Sequence, residues 1–297
     1  RDALLLFFPL LIESSVRYWD FGIFVLSRLH LIQTDQLPLT PIRGFYVQWS
    51  EAAGLLFYVA LLVFLVIRTV RIARERAAAA SEMQAVKTLQ ELLLARASQA
   101  TPGYAVETVY RPAQEVGGDF FLVSPGPDGS IVAIVGDVSG KGLLAAMRVS
   151  LILGALNRES SRMPAEVLER LNQVLLHQAD VGFTTACCVR LEANGNFSFA
   201  NAGHLNPYVD GGEAQAPGAL PLGIRAEQTY TQVTGYLKAG QRMVLLSDGV
   251  PEARARRELL GFEKLVELTR LGAAEIADAA QAFGQEDDIT VLALALA

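Results

Sequence analysis

The pattern of apolar and polar positions changes near residue 100, from long apolar stretches before it to short apolar runs after it. Residues 52–67 are sixteen consecutive residues without a charge, and four arginines follow within residues 68–76. Residues 46–49, two of them aromatic, bring the stretch to about the 20 residues that span a bilayer. We predict a transmembrane helix over 51–68, with the C-terminal part in the cytoplasm by the positive-inside rule. The alternative, a buried helix of a soluble domain, does not account for the one-sided arginine cluster.

Two further regions flank this predicted span. Residues 1–50 hold shorter apolar segments, and we expect a partial membrane or extracytoplasmic sensory region of a longer chain, because the sequence begins with Arg1 rather than Met. Residues 69–100 contain no Pro or Gly, and Val86, Leu89 and Leu93 fall near helical spacing. This pattern predicts a helical, coiled-coil-like linker, whose apolar face is the expected contact in a homodimer.

Residues 101–297 have the length of one domain, and their strands come in hairpins with helices grouped between them. The β-branched run at 131–135 predicts a buried strand, and Asn194-Gly195 predicts a hairpin turn. Strands are also predicted over 104–110, 119–125, 184–191, 196–200, 206–209, 228–234, 242–247 and 289–294. Helices are predicted from about residue 141 and over 165–179, 262–270 and 273–283. This order favours an α+β fold over a doubly wound parallel sheet.

The distribution of charge and cysteine narrows the class of protein. Residues 1–100 carry 10 Lys/Arg and 8 Asp/Glu, whereas residues 101–297 carry 15 and 23, a net charge of −8. An acidic domain without a basic stripe argues against nucleic-acid binding. The two cysteines, Cys187 and Cys188, are adjacent in an apolar run and match no metal spacing. We expect two reduced core thiols in a cytoplasmic domain.

Acidic residues stand at the ends of four predicted strands. Asp119 follows two glycines, Asp137 ends the strand at 131–135, Asp248 follows the strand at 242–247, and Asp287-Asp288 precede the last strand. Carboxylates without His or Cys favour Mg²⁺ or Mn²⁺ over zinc, and two such ions can activate a water and neutralise a phosphoryl group. The alternative is a set of turn aspartates, since Asp-Gly is ordinary turn chemistry.

Other chemistries match the sequence less well. Gly117-Gly-Asp-Phe-Phe121 is similar to the signature of diguanylate cyclases, but Phe120 replaces its acidic residue. The glycine-rich turn at 136–142 lacks the spacing of a phosphate-binding P-loop. A cysteine-based phosphatase needs a loop with Arg after its Cys, whereas the two cysteines lie in a predicted strand.

Six motifs stand in the order seen in one known family. They are Glu115-Val-Gly-Gly-Asp-Phe-Phe121, Gly136-Asp-Val-Ser-Gly-Lys-Gly142, Asn201-Ala-Gly-His204, Leu220-Pro-Leu-Gly223, Leu246-Ser-Asp-Gly-Val250 and Asp287-Asp-Ile-Thr-Val291. Residues 85–297 thus resemble the SpoIIE/RsbU-type branch of the metal-dependent protein phosphatases, the PPM family. The resemblance implies an α-β-β-α sandwich of two antiparallel sheets flanked by helices. It also implies hydrolysis of phosphoserine or phosphothreonine by a metal-bound water, without a phosphoenzyme intermediate.

The resemblance also assigns site residues. It makes Asp119, Asp137, Asp248 and Asp287 the catalytic metal ligands of two Mn²⁺ or Mg²⁺ ions, with Asp137 best placed to bridge both. It adds the backbone carbonyl of Val138 and, ranked below Asp287, Asp288. His204 is expected to be structural rather than a general acid. Arg111 is the nearest candidate for a phosphate-binding arginine, but this branch does not reliably keep that residue, so it is left out of the site.

The sequence therefore predicts a membrane-anchored, metal-dependent protein serine/threonine phosphatase of bacterial signal transduction. Its expected location is the bacterial inner (cytoplasmic) membrane, in contact with the lipid bilayer, with the domain at 101–297 in the cytoplasm. The resemblance implies that its substrate is a phosphorylated STAS-domain anti-sigma-factor antagonist in a partner-switching pathway. The alternative is a catalytically silent pseudophosphatase that acts as a binding module.

Overall fold

The structure is a computed structural model that describes residues 40–42, 45–47, 49–96, 102–159, 163–177 and 182–297. Most of the predicted sensory region at 1–50 lies outside the described residues, as do the last four residues of the predicted linker. The chain divides into two compact units, Arg1–Arg76 and Ala77–Ala297.

The first unit contains a short antiparallel hairpin and the first part of a long helix. The hairpin joins β1 (Thr40–Ile42) to β2 (Phe45–Val47), and helix α1 (Trp49–Arg96) follows. A single helix therefore covers both the stretch predicted to span a membrane and the predicted linker. Among the residues that the structure describes, no helix is long and apolar enough to cross a membrane. The transmembrane helix predicted over 51–68 is not confirmed.

The second unit is built from two five-stranded antiparallel sheets. The strands of sheet I are β4 (Asp119–Pro125), β5 (Ile131–Val138), β6 (Thr184–Leu191), β7 (Asn196–Ala202) and β10 (Val233–Tyr236). The strands of sheet II are β3 (Tyr104–Arg111), β8 (Tyr208–Val209), β9 (Gly212–Glu213), β11 (Arg242–Leu246) and β14 (Ile289–Leu296). Sheet I has the order β10-β7-β6-β5-β4 and sheet II has the order β3-β14-β11-β8-β9. The strands β12 (Arg254–Ala255) and β13 (Glu258–Leu259) pair with each other in a separate antiparallel hairpin.

Helices cover the outer faces of the two sheets. Helices α2 (Leu143–Leu156) and α3 (Pro164–Leu176) pack on sheet I, and α5 (Ala273–Gly284) packs on sheet II, preceded by the short α4 (Phe262–Leu268). One core cluster unites side chains of both sheets with α2 and α3, and a second lies between sheet II and α5. The predicted α-β-β-α sandwich is thereby confirmed for this unit.

The continuous burial of β5 explains its place in the middle of sheet I. Its side chains from Ile131 to Val135 are at most 7% exposed, and the strand pairs with β4 on one side and β6 on the other. Both faces are covered, so an unbroken apolar run is what this position requires. The hairpin turn predicted at Asn194-Gly195 is confirmed, and Gly195 has the positive φ of 92° that such a turn needs.

Two strand predictions need correction. The strand predicted over 228–234 begins only at Val233, because the backbone N–H of Tyr230 faces the Glu169 carboxylate of α3 instead of a neighbouring strand. The strand predicted over 206–209 begins at Tyr208, because Pro207 has no N–H for a sheet. The hairpin β12–β13 was not predicted, since its charged sequence shows no alternation of apolar and polar residues.

Candidate metal centre

Asp119 is the most deeply buried of the predicted carboxylate ligands. It begins β4 on sheet I and is only 1% exposed. Its Oδ2 accepts a hydrogen bond of 2.5 Å from the hydroxyl of Thr290, which belongs to β14 of sheet II. Burial raises the pKa of Asp119 well above its usual range, and the Thr290 hydroxyl opposes that rise in part. The buried carboxylate is thus held in place but lacks a full positive charge beside it.

Asp137 lies directly across from Asp119 in the pairing of β4 with β5. The strand extends to Val138, so Asp137 is its second-last residue and does not end the strand as predicted. The pKa of Asp137 is raised to about 7, first by burial and then by the negative charges of Asp248, Asp287 and Asp288. Four predicted ligands therefore act on one another electrostatically at one end of the two sheets.

Asp248 and Asp287 complete this group from sheet II. Asp248 lies in the turn after β11, and burial raises its pKa, with Glu252 and Asp287 adding to the effect. Asp287 directly precedes β14, and its Oδ2 accepts a 2.9 Å hydrogen bond from the ammonium of Lys141. Lys141 lies in the turn between β5 and α2 and lines the same cleft as Asp137 and Asp287.

Asp288 holds the backbone of the site. Its Oδ1 accepts the N–H of Ala113 at 2.8 Å, and its Oδ2 accepts the N–H of Gly118 at 2.7 Å. Both carboxylate oxygens are therefore engaged by backbone donors, and the residue fixes the loop that leads into Asp119. The ranking of Asp288 below Asp287 as a metal ligand stays a prediction.

Two glycines allow the backbone to approach the carboxylates closely. A Cβ on Gly118 would lie 2.8 Å from the carbonyl oxygen of Val138 and 2.9 Å from Oδ1 of Asp137. A Cβ on Gly249 would overlap the carbonyl oxygen of Asp288. The predicted carbonyl ligand Val138 thus points to the same narrow space as the Asp137 carboxylate.

The residues fit divalent cations by donor type and by charge. The three atoms nearest to a Cβ on Gly118 are oxygens of Val138, Asp137 and Gly140, and the neighbouring carboxylates add to the rise that burial causes in the pKa of Asp137. Hard cations such as Mg²⁺ and Mn²⁺ select such donors. Within the described part of the chain, however, no three His, Cys, Asp or Glu side chains are already close enough together to hold an ion. The ligand set therefore stays a prediction, with the donors near one another but not closed into a cage.

Three residues that support the candidate metal centre were not predicted from the sequence. Lys141 stood inside the second motif, where a basic residue among acidic ones was an available signal. Thr290 stood inside the last motif, but no pattern predicts its bond to Asp119. Gln90 gave no signal, because a polar residue in a helix is normally read as solvent-facing; it is 3% exposed and donates to the carbonyl of Gly117 at 3.1 Å.

Other residues discussed above take structural places. The Nδ1 of His204 is 2.8 Å from the hydroxyl of Thr185, and burial lowers its pKa to about 4, so the ring is neutral at pH 7. Arg111 is held by Asp278 and Gln281 on α5. Cys187 and Cys188 are free and buried, which confirms the prediction of core thiols.

Comparisons with known proteins agree with this architecture. The family model described as Stage II sporulation protein E (SpoIIE) matches residues 127–297. The phosphoserine phosphatase RsbU of Bacillus subtilis is 29% identical over 238 residues, which cover 72% of this chain and 70% of RsbU.

Solved structures share the fold. The RsbU and RsbW domains of Rv1364c from Mycobacterium tuberculosis are 25% identical with a TM-score of 0.56, over 66% of this chain and 60% of that one. The SiaA-PP2C domain of Pseudomonas aeruginosa is 22% identical with a TM-score of 0.63, over 75% of this chain and 98% of that domain.

Proposed function

The chain belongs to the SpoIIE family, and from this premise we propose that it is a metal-dependent protein serine/threonine phosphatase. One observation carries the proposal: the two sheets place Asp119, Asp137, Asp248 and Asp287 at one end, where burial and then the charges of Asp248, Asp287 and Asp288 raise the pKa of Asp137 to about 7. Such mutual repulsion is costly in a folded protein, and bound cations would relieve it. The likeness to RsbU supports phosphoserine as the group acted on.

In this proposal each side chain has a defined task. Asp119, Asp137, Asp248 and Asp287, with the carbonyl of Val138, supply the oxygen ligands. When bound, Mg²⁺ or Mn²⁺ supplies positive charge that polarises a phosphoryl oxygen and lowers the pKa of a water. Thr290 fixes the orientation of the Asp119 carboxylate, and Asp288 fixes the backbone before it. These contacts position ligands before the substrate arrives, which lowers the cost of ordering the site.

The finer parts of the proposal concern partners and place. We propose a phosphorylated STAS-domain protein as substrate, in bacterial partner-switching signalling, as the resemblance of the six motifs implies. Two ions, a homodimer through the helix at 69–100 and a location at the inner face of the cytoplasmic membrane are further expectations from the sequence. The arginines at 68–76 support the orientation, with the phosphatase domain in the cytoplasm.

The test is phosphate release from a phosphoserine peptide by the full chain, with Mn²⁺, with Mg²⁺ and with EDTA. We expect turnover that needs the metal and that falls at least about a hundredfold in Asp137→Asn, since one ligand change disrupts charge and geometry together. Asp210→Asn is the matched control. Asp210 is exposed and has a φ of 53°, which Asn also adopts readily, so this variant should keep wild-type turnover.

Two results would contradict the proposal. Turnover that persists in EDTA would show chemistry without the metal. A folded chain that binds Mn²⁺ but releases no phosphate from phosphoserine or phosphothreonine peptides, or from a phosphorylated STAS-domain protein, would favour the pseudophosphatase. Circular dichroism and thermal unfolding of every variant would establish that the chains compared are folded.

A further inference from the structure

Lys141 has an unusual position in the acidic cleft. The charged side chains that line the cleft are Asp137, Asp287, Asp288 and Lys141. Of the described residues that line it, Lys141 alone carries a positive charge. The other cation considered for this role, Arg111, is occupied by Asp278 and Gln281 on α5. Any anion that enters the cleft therefore meets one ammonium and three carboxylates.

The backbone of Lys141 lies in a tight turn, and the end of its side chain reaches Asp287. It stands between Gly140 and Gly142, whose φ values of 102° and 76° shape a tight turn. Its side chain is 54% exposed, and its Nζ makes an ion pair of 2.9 Å with Asp287. Such a half-exposed ion pair is weak, about 0–1 kcal/mol. The ammonium can consequently exchange partners at little cost.

The first turn of α2 adds to the positive potential beside Lys141. The helix begins at Leu143, has no side-chain cap and has no acidic residue in its first turn. Its positive dipole end is thus not neutralised by its own side chains, although this alone would not define a site.

The negative charge of the substrate indicates the role of the Lys141 ammonium. A phosphoserine carries about −1.5 to −2 charges at pH 7, so three carboxylates repel it. A cation held by Asp287 would take up part of the negative charge that now attracts Lys141, and the two positive charges would repel each other. A nearby phosphoryl oxygen is then the best partner for Lys141, because lysine binds phosphate well as a point charge.

We propose that Lys141 binds the phosphoryl group of the substrate and the inorganic phosphate product, and that its ion pair with Asp287 is its resting position. This inference rests on the proposed function for the substrate, but the anion site itself does not. It assigns the phosphate-binding role to the turn between β5 and α2 and not to Arg111.

The experiment compares the full-length wild type with Lys141→Met, Lys141→Arg and the control Lys238→Met. Lys238 is exposed and its side chain does not line the cleft. Binding of inorganic phosphate is measured by calorimetry in saturating Mg²⁺, and binding of Mn²⁺ by electron paramagnetic resonance. We expect Lys141→Met to weaken phosphate binding about tenfold to a hundredfold, as for the loss of a charge-assisted hydrogen bond. Lys141→Arg should lose only a few-fold, and Lys238→Met should bind phosphate like the wild type.

The metal readout separates a phosphate site from a structural role. Removal of an ammonium beside Asp287 should leave Mn²⁺ affinity unchanged or raise it. Equal phosphate affinity in wild type and Lys141→Met would overturn the inference. Mn²⁺ affinity that falls by the same factor as phosphate affinity would overturn it too, because Lys141 would then act only by keeping the metal.

The kinetic readout links the inference to the reaction. With a phosphoserine peptide, Lys141→Met should raise KM and the inhibition constant of inorganic phosphate by similar factors. If the wild type hydrolyses no phosphopeptide, the proposed function fails, whereas calorimetry still decides on Lys141. If the wild type turns over and the inhibition constant of phosphate is unchanged in Lys141→Met, the proposed function stands and the inference fails.

Discussion

Gln90 offers the sharpest test of how α1 supports the site. It is 3% exposed, and its Nε2 donates to the carbonyl of Gly117 at 3.1 Å and to the hydroxyl of Tyr110 at 3.3 Å. Gln90→Met keeps the length of the side chain but removes both donors. The buried Gly117 carbonyl would lose this partner, at about 1–3 kcal/mol, and the more apolar side chain would offset part of that cost. We expect a net loss of about 1–2 kcal/mol.

The assay is thermal and urea unfolding of the full chain, with Gln84→Met as the matched control. Gln84 is exposed on the same helix, so its substitution should change stability by less than about 0.5 kcal/mol. For a unit of this size, the loss in Gln90→Met corresponds to a Tm lower by about 2–8 °C.

The same variant should also affect metal binding. Gly117 precedes Gly118, whose N–H is held by Asp288, so a released loop should weaken Mn²⁺ binding several-fold. If Gln90→Met unfolds at the same temperature as Gln84→Met, the two hydrogen bonds contribute nothing and the reasoning is refuted.

Four further predictions concern pH and close packing. In the metal-free protein the pKa of Asp137 is about 7 against an ordinary 3.8, so the folded state keeps a proton that the unfolded state loses. The free energy of unfolding should therefore fall as pH rises from about 4 to 7, by at most about 4 kcal/mol. Asp137→Asn in EDTA should flatten this part of the pH profile measured by urea unfolding. Burial lowers the pKa of His204 from 6.5 to about 4, so its contribution to the free energy of unfolding is present above pH 6.5 and is lost as pH falls from 6.5 to 4. His204→Gln should remove this loss of stability. Gly118→Ala should weaken Mn²⁺ binding at least about tenfold, because its Cβ would lie 2.8 Å from the Val138 carbonyl. Gly154→Ala, a helical glycine with open space around it, should instead raise stability by about 0.5–1 kcal/mol.

The sequence predicts most of the second unit because its patterns are local. The run at 131–135, the turn at Asn194-Gly195 and the helix starting near residue 141 each follow from short-range rules. The errors occur where a distant group decides the conformation. The N–H of Tyr230 faces a carboxylate of α3, and no pattern near Tyr230 records this. Gln90 is buried for a similar reason, since its partners are 20 and 27 residues away.

The roles of the site residues also depend on contacts that short sequence patterns do not record. Motif order is enough to select Asp119, Asp137, Asp248 and Asp287, because each stands at the end of a strand beside a glycine or another acid. The motifs do not say which carboxylate accepts hydrogen bonds from backbone N–H groups. Asp287 and Asp288 are adjacent and chemically identical, yet one faces Lys141 and the other accepts two backbone N–H groups. Only the path of the chain around them separates these roles.

The contacts that separate these roles also tie the two sheets together at the site. Asp119 belongs to sheet I, and the Thr290 hydroxyl that it accepts belongs to sheet II. In return, Asp288 at the start of β14 accepts the N–H of Gly118 at the start of β4. Each contact satisfies a buried polar group, so sliding one sheet against the other would leave both groups without partners at a cost of about 1–3 kcal/mol each. These two contacts therefore fix one sheet relative to the other at the end where the predicted ligands face each other. The last motif supplies this connection between the sheets through Asp288 and Thr290. The same motif also contains the predicted ligand Asp287.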